Sequence, residues 1–554
     1  MTAGVVSAGS GAGSAKDHDG PGHADDASSA NAAGRLTAPS ICWYGDDFTG
    51  ATDTLAEVAR AGLRGLLFLG VPTPEQLRRA GPLDAIGIAG AARAMSPTDM
   101  ETELRSVGRF MAGTGARVLH YKCCSTFDSA PHVGSIGVAI RELRRHLPNR
   151  LVPIVGGQPS IGRYCSFAQL FARAGAAPEV YRIDRHPVMS QHPVTPMHEA
   201  DLRRHLAAQG LEGIRSVPHI AYPRLRGAGD AGASGASGAP GAPGAIGAMG
   251  AMGAMGATGA MGAMGATGAM GANDVAQLDA WIDDLINTSD GPVLFDVTDD
   301  EQLAVIGRLI WRAAASAPLL AVGPSSVQQA LARAAAFERD ASVFQRNHGL
   351  AGPDGTTAEH RGKIAGRDAA AFLPSGEAPL PAASGPVLVM AGSLSPVTAR
   401  QIAASTRYTH QPLKVQALLE SPTYVAEQVR LATAALAQGH NVLVHTDRPD
   451  QAVTSGQAAS AARATAQLAA AIITASAQAG TRLARVGIAG GDTSSQATLA
   501  LGLWGLQFRC VLAPGVTVSV ARSDNSVVDG VELMLKGGQM GGDDLFDRLV
   551  MGVG

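Results

Sequence analysis

Three aspartates stand around the start of one predicted helix, in the stretch "WYGDDFTGATDTLAEVARAG" over residues 43–62. Asp46 and Asp47 follow a short apolar run, and Asp53 comes one helical turn beyond Gly50. A single acid at a helix start is commonly an N-cap. Two adjacent carboxylates repel each other unless a cation, a hydroxyl donor or a proton lies between them. The pair therefore indicates a base that binds a substrate hydroxyl or a magnesium site, with Asp53 as an exposed first-turn acid or a third member.

A second cluster lies in "HYKCCSTFDSAPHVGSIGVAI", residues 120–140. Lys122 ends a predicted strand, and small or hydroxyl residues separate it from the next helix. Such residues before a helix predict an anion cradle, because free N–H groups and the positive end of the dipole point outward. The Walker A pattern is absent, so the ligand stays unnamed. The residues in question are Ser125, Thr126, Asp128, Ser129, Gly134, Ser135 and Gly137.

A single arginine follows another predicted strand. Arg93 lies in "GIAGAARAMSP", just after the apolar run. A planar guanidinium suits bidentate binding of a carboxylate. The alternative is a solvated side chain in a loop, which is the common state of a lone surface arginine.

The carboxyl-terminal half carries three glycine-rich stretches of its own. They are "MAGSLSPVTARQI" with Ser393, "GIAGGDTSSQATLALG" with Gly490, Gly491, Asp492 and Thr493, and "LMLKGGQMGGDDLF" with Lys536 and Gly538. Each stretch alone is a weak signal. Three of them in one domain direct backbone N–H groups and hydroxyls to one edge of a sheet and predict a polyphosphate-binding cleft. Together with the acids and cations of the first half, they indicate phosphoryl transfer from a nucleotide to an acceptor.

Alternating strands and helices must position these residues. Short apolar runs such as "RGLLFLG", "LDAIGIAG" and "ARVLHYK" predict buried strands in the first half, and "GPVLVMAGS", "HNVLVHT" and "RVGIAGGDT" predict them in the second. After the paired acids, one helical face is formed by Leu55, Val58, Ala59 and Leu63. The pattern predicts the α/β class with two α/β domains, whose ligands bind beyond the carboxyl ends of the strands.

Composition limits the partners of the chain. Its 554 residues carry a net charge of -3, and only 16% are charged, so there is no basic surface for nucleic acid. The five cysteines form no CxxC pair, which favours a reducing, cytoplasmic location. The sequence has no run of about 18 uncharged apolar residues, so it predicts no membrane span.

Low-complexity segments set the predicted domain limits. Glycine recurs at every third position in "GAPGAPGAIGAMGAMGAMGATGAMG", but Pro240 and Pro243 are too few for a collagen triple helix, so an inserted surface loop is favoured. The predicted order is a disordered leader at 1–39, a first domain at 40–340 interrupted by the insertion at 227–272, a connecting segment at 341–385 and a second domain at 386–554.

A histidine-rich stretch follows in the first half. His186 and His192 lie in "RHPVMSQHP", whose prolines predict an extended loop. Without cysteine or glutamate at ligand spacing, zinc is disfavoured. The alternative is that Arg185 and some of these histidines line an acceptor pocket or shape a loop beside it, with His186 or His192 binding hydroxyls.

Five motifs occur in order: "YGDDFTGATD", "YKCCSTFDS", "GSLSPVTARQ", "GGDTSSQA" and "LKGGQMGGDDLF". With them, the chain resembles the four-carbon acid sugar kinase family over nearly all of residues 40–552 except the glycine repeat. The resemblance implies an N-terminal sugar-acid-binding domain, a C-terminal nucleotide-binding domain, a requirement for ATP and Mg²⁺, and phosphorylation of a terminal hydroxyl in carbohydrate catabolism. The "CSTFDS" motif and residues 181–209 look most like the branch that contains 3-oxo-isoapionate kinases.

With that reaction, Asp47, or Asp46 if the turn rotates the other way, is expected to orient the acceptor hydroxyl and accept its proton. The magnesium ligands stay unknown. The expected substrate-binding residues are Asp46, Asp47, Arg93, Lys122, Ser125 and Arg185. The expected nucleotide-binding residues are Ser393, Gly490, Gly491, Asp492, Thr493 and Gly538.

The chain departs from the common family pattern at three places. Cys123 and Cys124 follow Lys122, Lys536 begins Lys-Gly-Gly-Gln in place of Lys-Ser-Gly-Asn, and Asp492 replaces a glutamate. The acceptor therefore stays open between 3-oxo-isoapionate, threonate or erythronate, and a 3-oxo-tetronate. Two other classes also stay open: a non-catalytic sugar-acid-binding protein, and a metal-dependent phosphohydrolase. Whether the chain is a homodimer is undecided as well.

Overall fold

The computed structural model describes residues 38–174, 178–192, 194–223, 272–336, 379–393, 395–447, 455–513, 515–538 and 540–553. Nearly all of the predicted leader and of the predicted glycine-repeat insertion, and most of the predicted connecting segment, lie outside the described residues. We call residues 38–336 the first half of the chain and residues 379–553 the second half.

Strands occur where the apolar runs predict them, and several more are found between those runs. The strands are β1 (Ile41–Gly45), β2 (Gly65–Phe68), β3 (Ala85–Ala89), β4 (Val118–Lys122), β5 (Val152–Val155), β6 (Arg163–Ser166), β7 (Gln169–Arg173), β8 (Val180–Arg182), β9 (Arg215–Val217), β10 (Pro292–Phe295), β11 (Leu319–Gly323), β12 (Val387–Ala391), β13 (Thr409–Leu413), β14 (Val442–Thr446), β15 (Arg485–Ala489), β16 (Leu503–Ala513), β17 (Val516–Ser523) and β18 (Glu532–Lys536).

Helices alternate with these strands in both halves, which confirms the predicted α/β class. The helices are α1 (Phe48–Arg60), α2 (Pro74–Ala80), α3 (Pro97–Gly113), α4 (Ile136–Arg144), α5 (Leu202–Ala207), α6 (Ala272–Thr288), α7 (Asp300–Ala313), α8 (326–336), α9 (Pro396–Ala404), α10 (Val415–Glu420), α11 (Pro422–Ala437), α12 (Ser455–Gln478), α13 (Gly491–Ala500) and α14 (Leu545–Met551). Among the described helices, none is both long and apolar enough to cross a membrane.

The two halves share one continuous sheet of 15 strands in the order β13-β14-β12-β15-β18-β17-β16-β2-β3-β1-β4-β11-β5-β10-β9. The strands of the first half, from β2 to β9, are parallel to their neighbours. Those from β13 to β18 are also parallel to one another. Between the two blocks, β16 and β17 form an antiparallel ribbon that pairs with β2 on one side and β18 on the other.

Helix α1 shows how the sequence builds the first parallel block. It begins at Phe48, and Asp47 is its N-cap. Leu55 and Val58 are buried under the sheet, as their spacing predicts. The helix ends at Arg60, and Gly62 adopts a φ of 79°, a conformation that favours glycine. Leu63 is also buried, but it lies after the turn that ends α1 and not on the helix itself.

A second, smaller sheet was not predicted. Strands β6, β7 and β8 form an antiparallel sheet in the order β6-β7-β8. It lies against the carboxyl ends of β5 and β10, because Arg163 forms a bridge with Gln158 after β5 and Cys165 forms one with Val297 after β10. The small sheet thus sits at the same edge as the ends of β1, β3 and β4.

Candidate active site

The carboxyl ends of β1, β3 and β4 lie side by side at one edge of the sheet, which we call the acid edge. The N–H of Asp46 donates to the carbonyl of Lys122 over 3.0 Å, and the N–H of Arg93 donates to the carbonyl of Asp46 over 3.0 Å. Parallel strands end at the same edge, so residues far apart in sequence meet there. The structure therefore brings together four of the predicted residues: Asp46, Asp47, Arg93 and Lys122.

The two adjacent acids have different environments. Arg93 binds Asp46 through both carboxylate oxygens, with Nη2 at 2.7 Å and Nε at 3.2 Å. The same Nη2 lies 3.1 Å from Oδ1 of Asp47. The Asp46 side chain is 3% exposed, whereas that of Asp47 is 30% exposed. Asp46 thus fixes the guanidinium, and Asp47 is the carboxylate that a ligand can reach.

Burial and charge act in opposite directions at these groups. Burial raises the pKa of Asp46, and the Arg93 guanidinium opposes that rise. Burial alone would lower the pKa of Lys122, but the carboxylates of Asp47 and Asp46 outweigh it, and its pKa lies above the usual value. Lys122 is therefore a buried ammonium ion held beside two carboxylates.

Gly50 makes room for that ammonium. A Cβ at this position would lie 2.2 Å from Nζ of Lys122 and 2.5 Å from Oδ1 of Asp47. The N–H of Gly50 donates to Oδ1 of Asp47 over 2.9 Å, as expected for an N-cap. One carboxylate thus caps the helix and forms an ion pair with Arg93, and the Lys122 ammonium acts on it electrostatically.

A short polar turn follows Lys122. Burial would raise the pKa of Asp128, but the Arg93 guanidinium and hydrogen bonds from Cys124 and Thr126 hold it below the usual range. Thr126 donates to Asp128 over 2.6 Å. Ser125, predicted as a substrate-binding residue, is half-buried in this turn.

The predicted anion cradle at the start of α4 is wrong, because a side chain of the protein fills it. The N–H of Ile136 donates to Oε1 of Gln209 over 2.8 Å, and the N–H of Val138 donates to the hydroxyl of Ser135. A Cβ at Gly137 would lie 2.2 Å from the carbonyl oxygen of Gln209, so the glycine makes room for the turn that follows α5. Sequence spacing did not reveal this partner 73 residues away.

Three further predicted residues lie apart from the acid pair. Asp53 accepts a hydrogen bond from Ser325, so it ties α1 to the start of α8. Arg185 is exposed on a single helical turn. His186 is buried, and its Nδ1 accepts the N–H groups of Val188 and Met189, which shapes the loop.

The three glycine-rich stretches converge at the edge that we call the glycine edge, the carboxyl ends of β12, β15 and β18. A Cβ at Gly392 would lie 2.5 Å from Oγ1 of Thr493, and one at Gly538 would lie 2.6 Å from Oγ of Ser393. Gly490, with a φ of 128°, lies against the backbone N of Ser393. Three backbones therefore approach each other where any side chain would intrude.

A helix starts in this cradle, and its first residues face outward. Gly491 begins α13, and Asp492 is exposed in its first turn. A Cβ at Gly491 would meet nothing within 4 Å, so that position is open space. The free N–H groups and the positive end of the helix dipole suit an anion such as a phosphate group.

Lys536, named in the third glycine-rich stretch but not among the expected nucleotide-binding residues, ends β18 beside the cradle. Its Nζ donates to Oγ1 of Thr398 over 3.0 Å, and Thr398 in turn donates to the carbonyl of Gly538. Burial lowers the pKa of Lys536 to about 8. A lysine at the end of a strand was the available signal, and Lys122 holds the equivalent position at the end of β4.

The donor set at the glycine edge fits a nucleotide triphosphate: glycine backbones, hydroxyls and one buried ammonium. A magnesium cage built from protein groups alone is not present in the described part of the chain, where no cluster of three or more His, Cys, Asp or Glu residues is placed to hold a metal ion. Magnesium bound through phosphate oxygens and one or two carboxylates is compatible with this arrangement.

Comparisons with known proteins assign both halves. Residues 41–238 match the family described as the sugar-binding N-terminal domain, and residues 388–546 match the nucleotide-binding C-terminal domain. A 3-oxo-isoapionate kinase of Paraburkholderia graminis is 35% identical over 91% of this chain and 93% of its own length. A 3-oxo-tetronate kinase of Methylobacterium radiotolerans is 29% identical over 91% of this chain and 96% of its own length.

Solved structures share the fold. A Salmonella typhimurium LT2 protein matches with a TM-score of 0.62 and 21% identity, covering 92% of this chain and 98% of that chain. A Haemophilus influenzae protein of family DUF1537 matches with a TM-score of 0.60 and 21% identity, over 91% of this chain and 98% of that chain. The fold therefore extends over nearly the whole length of both structures.

Proposed function

The chain belongs to the four-carbon acid sugar kinase family and is an ATP-dependent sugar acid kinase, and from this premise we propose that it phosphorylates the terminal hydroxyl of 3-oxo-isoapionate. One observation carries the assignment of residues. A cluster of acids and cations ends the strands of one half, and a glycine cradle with a lysine ends the strands of the other. The relative at 35% identity is a kinase for this acid, and threonate, erythronate and 3-oxo-tetronates are the alternative acceptors.

The reaction is a direct in-line transfer. The acceptor hydroxyl oxygen forms a bond to the γ-phosphorus of ATP while the bond from that phosphorus to the β-phosphate oxygen breaks, and ADP leaves. The hydroxyl proton passes to a carboxylate of the protein. Catalysis of this kind rests mainly on positioning and on charge stabilisation.

Asp47 is our candidate for the carboxylate that takes the proton. Its side chain is reachable, whereas Asp46 is buried and both of its oxygens are bound by Arg93. A base must lie within hydrogen-bonding reach of the proton it removes. Asp46 then serves as a positioning residue that holds Arg93 in place.

The cations of the acid edge are suited to the carboxylate of the substrate. Arg93 is 22% exposed, and it binds Asp46 through Nε and Nη2, so Nη1 is the nitrogen left for a substrate oxygen. The Lys122 ammonium lies beside Asp47 and Gly50. These cations would hold the carboxylate or neighbouring oxygens of the substrate, while its terminal hydroxyl lies within hydrogen-bonding reach of Asp47 beside them, and Ser125 is close enough in the chain to add a hydroxyl contact.

At the glycine edge, we assign the ATP phosphates to the cradle of Ser393, Gly490 and Gly538, with Gly491, Asp492 and Thr493 at the start of α13. Lys536 supplies the positive charge. Magnesium, when bound with the nucleotide, would neutralise negative charge that develops on the phosphate groups during transfer. The five cysteines are free thiols, which supports our assignment of the enzyme to the reducing cytoplasm.

The two rival classes are weaker. A phosphohydrolase that uses Asp46, Asp47 and Asp53 as metal ligands requires the three carboxylates to converge, but Asp53 is bonded to Ser325. A non-catalytic binding protein would leave the glycine cradle and Lys536 without a role.

The test measures ADP release by the purified protein with MgATP. The acceptors are 3-oxo-isoapionate, D-threonate, L-threonate, D-erythronate and 3-oxo-tetronates. We expect the highest kcat/KM with 3-oxo-isoapionate. A preference for another of these acids would overturn our substrate assignment, and hydrolysis of a phosphorylated acid without ATP would favour the phosphohydrolase.

A further inference from the structure

Helix α9 buries a polar face. Its buried residues are Thr398 and Gln401, which stand three positions apart and therefore lie on one side of the helix. A helix that packs against a protein core normally buries apolar side chains. A hydroxyl and an amide in that place need hydrogen-bond partners inside the protein. The partners that these two side chains find lie at the end of β18 and in the glycine-rich segment that follows it.

Gln401 binds three successive carbonyl groups of that segment. Its Nε2 donates to the carbonyl oxygens of Met540, Gly541 and Gly542 over 2.9, 3.2 and 3.0 Å. The side chain is fully buried, and Oε1 of the same amide has no partner among the described residues. An unpaired buried acceptor destabilises a fold, so the donor contacts alone account for the position of this amide. Gln401 thus holds three consecutive carbonyls toward α9.

Thr398 links Lys536 to the same segment. Nζ of Lys536 donates to the hydroxyl oxygen of Thr398 over 3.0 Å, and that hydroxyl donates to the carbonyl of Gly538 over 3.1 Å. Nζ itself lies 3.5 Å from the Gly538 carbonyl oxygen. Two neutral oxygens thus fix the ammonium, and neither of them cancels its charge.

The two side chains together determine which way the segment faces. They bind the carbonyls of Gly538 and of residues 540–542 on the side of α9. In the described part of the chain, no backbone carbonyl accepts the N–H groups of Gly537 and Gly538. Gly538 lies against Ser393 in the cradle. Backbone whose carbonyls are bound on one side and whose N–H groups stay free is suited to bind an anion.

We propose that Thr398 and Gln401 are positioning residues for phosphoryl transfer, which act through Lys536 and through the backbone of residues 537–542. The proposal rests on the proposed function, since it takes the glycine edge as the ATP site. Both side chains aim the ammonium and the free N–H groups before the nucleotide arrives, so little reorganisation is needed when charge develops on the phosphates. Loss of either contact lets the backbone turn, which weakens ATP binding and slows transfer, whereas the acid edge is unaffected.

Replacement of Thr398 tests its hydroxyl. Thr398→Val keeps the shape of the side chain and removes both hydrogen bonds. We expect KM for ATP to rise and kcat to fall by about tenfold each, the effect of one lost hydrogen bond, with KM for the sugar acid unchanged in ADP-release assays. Thr398→Ser restores the hydroxyl and should return both constants to near the wild-type values. Thr465→Val is the matched control, because Thr465 is equally buried and its hydroxyl has no partner among the described residues.

Replacement of Gln401 tests the second contact independently. Gln401→Met keeps the length of the side chain but leaves three carbonyls without their donor. We expect weaker binding of MgATP, by about tenfold in calorimetry, again with KM for the sugar acid unchanged. The control is Gln428→Met: Gln428 is also buried, and its amide oxygen accepts from Gln411 over 2.8 Å. It should bind MgATP as the wild type does.

A double variant tests whether Thr398 acts through the lysine. If it does, Thr398→Val should have a smaller effect in a Lys536→Met background than in the wild type, because residues in one hydrogen-bond network are not additive. Effects of equal size in the two backgrounds would overturn this part of the proposal.

The remaining outcomes separate a positioning role from a structural one. A Thr398→Val protein that unfolds at lower denaturant concentration but keeps the wild-type KM for ATP and kcat overturns the positioning role, and so does failure of serine to rescue. If Thr398→Val does not fold, Gln401→Met decides by the same comparison. Absence of turnover by the wild-type protein with every acceptor would instead overturn the proposed function, and calorimetry with MgATP, which needs no acceptor, would still test both residues.

Discussion

The two edges recognise charge by different means. The acid edge uses side chains: the Arg93 guanidinium binds the buried Asp46 carboxylate, the Lys122 ammonium is buried nearby, and Asp47 is left reachable. The glycine edge uses backbone: three glycine stretches approach closely, and Lys536 supplies the charge. A backbone cradle suits the phosphates common to all nucleotides, whereas a cluster of side chains can change one residue at a time. If the acceptor binds at the acid edge and ATP at the glycine edge, as we propose, the choice of acceptor can diverge while the phosphoryl donor stays the same.

The largest expected effect is the loss of catalysis when the proposed base at the acid edge is removed. Asp47→Asn keeps an N-cap for α1, because asparagine caps as well as aspartate, but it removes the base. We expect kcat to fall by about 10³-fold, with ATP binding unchanged, as measured by ADP release and by calorimetry. Asp53→Asn is the matched control, because its contact is to Ser325, and it should stay within a few-fold of the wild type. Equal loss in both variants would contradict the role of Asp47.

The second expected effect concerns the buried ion pair. Asp46→Asn keeps the shape of the side chain but leaves the Arg93 guanidinium without its bidentate carboxylate. Loss of one partner of a buried pair lowers the free energy of unfolding by about 3 kcal/mol, which denaturant unfolding measures. Arg64 and Asp84 form an exposed pair, so Asp84→Asn should cost less than about 1 kcal/mol. Similar losses in the two variants would show that burial does not distinguish the pairs.

The third expected effect tests the backbone recognition of the glycine edge. Gly538→Ala places a Cβ 2.6 Å from Oγ of Ser393, whereas a Cβ at Gly537 meets Met540 at an ordinary 3.7 Å. We expect Gly538→Ala to raise KM for ATP by about tenfold to 100-fold, on the scale of a displacement of about 1 Å. Gly537→Ala should change it little. A rise of KM for the sugar acid instead would assign this loop to the acceptor.

The smallest expected effect is a pH dependence confined to the glycine edge. Burial lowers the pKa of Lys536 from its usual value to about 8, so the free protein loses this charge above pH 8. KM for ATP should rise by about tenfold between pH 8 and pH 9.5. The unfolded chain binds the proton more tightly than the folded chain does, so the stability of the ligand-free protein should rise over the same interval. Lys536→Met should abolish both trends, and their persistence in this variant would assign them to another group.

Sequence predicted the parts of the molecule that depend on local pattern. The apolar runs gave β1 to β5, and the residues after them gave Asp46, Asp47, Arg93 and Lys122, because carboxyl ends of parallel strands meet at one edge. The small sheet of β6, β7 and β8 escaped because its two-residue turn contains Phe167 and Ala168 in place of the usual glycine or asparagine.

Long-range partners were beyond any local signal. The filling of the α4 start by Gln209 joins residues 73 apart. The pairing of β2 with β16 joins Leu66 to Gln507, and the local sequence of neither strand predicts this partner. Domain limits were likewise set by composition alone, so the shared sheet appeared only in three dimensions.

That shared sheet has a consequence for synthesis of the chain. Strand β2 can pair with its outer neighbour, β16, only after the ribosome has synthesised more than 430 further residues, because Leu66 pairs with Gln507. Until then, "GLLF" is an open apolar edge, and such edges recruit other nascent chains. A truncated product that ends before β16 should therefore aggregate and not accumulate as a folded fragment. In the full-length chain, the first half stays prone to aggregation until β16 has been synthesised and pairs with β2.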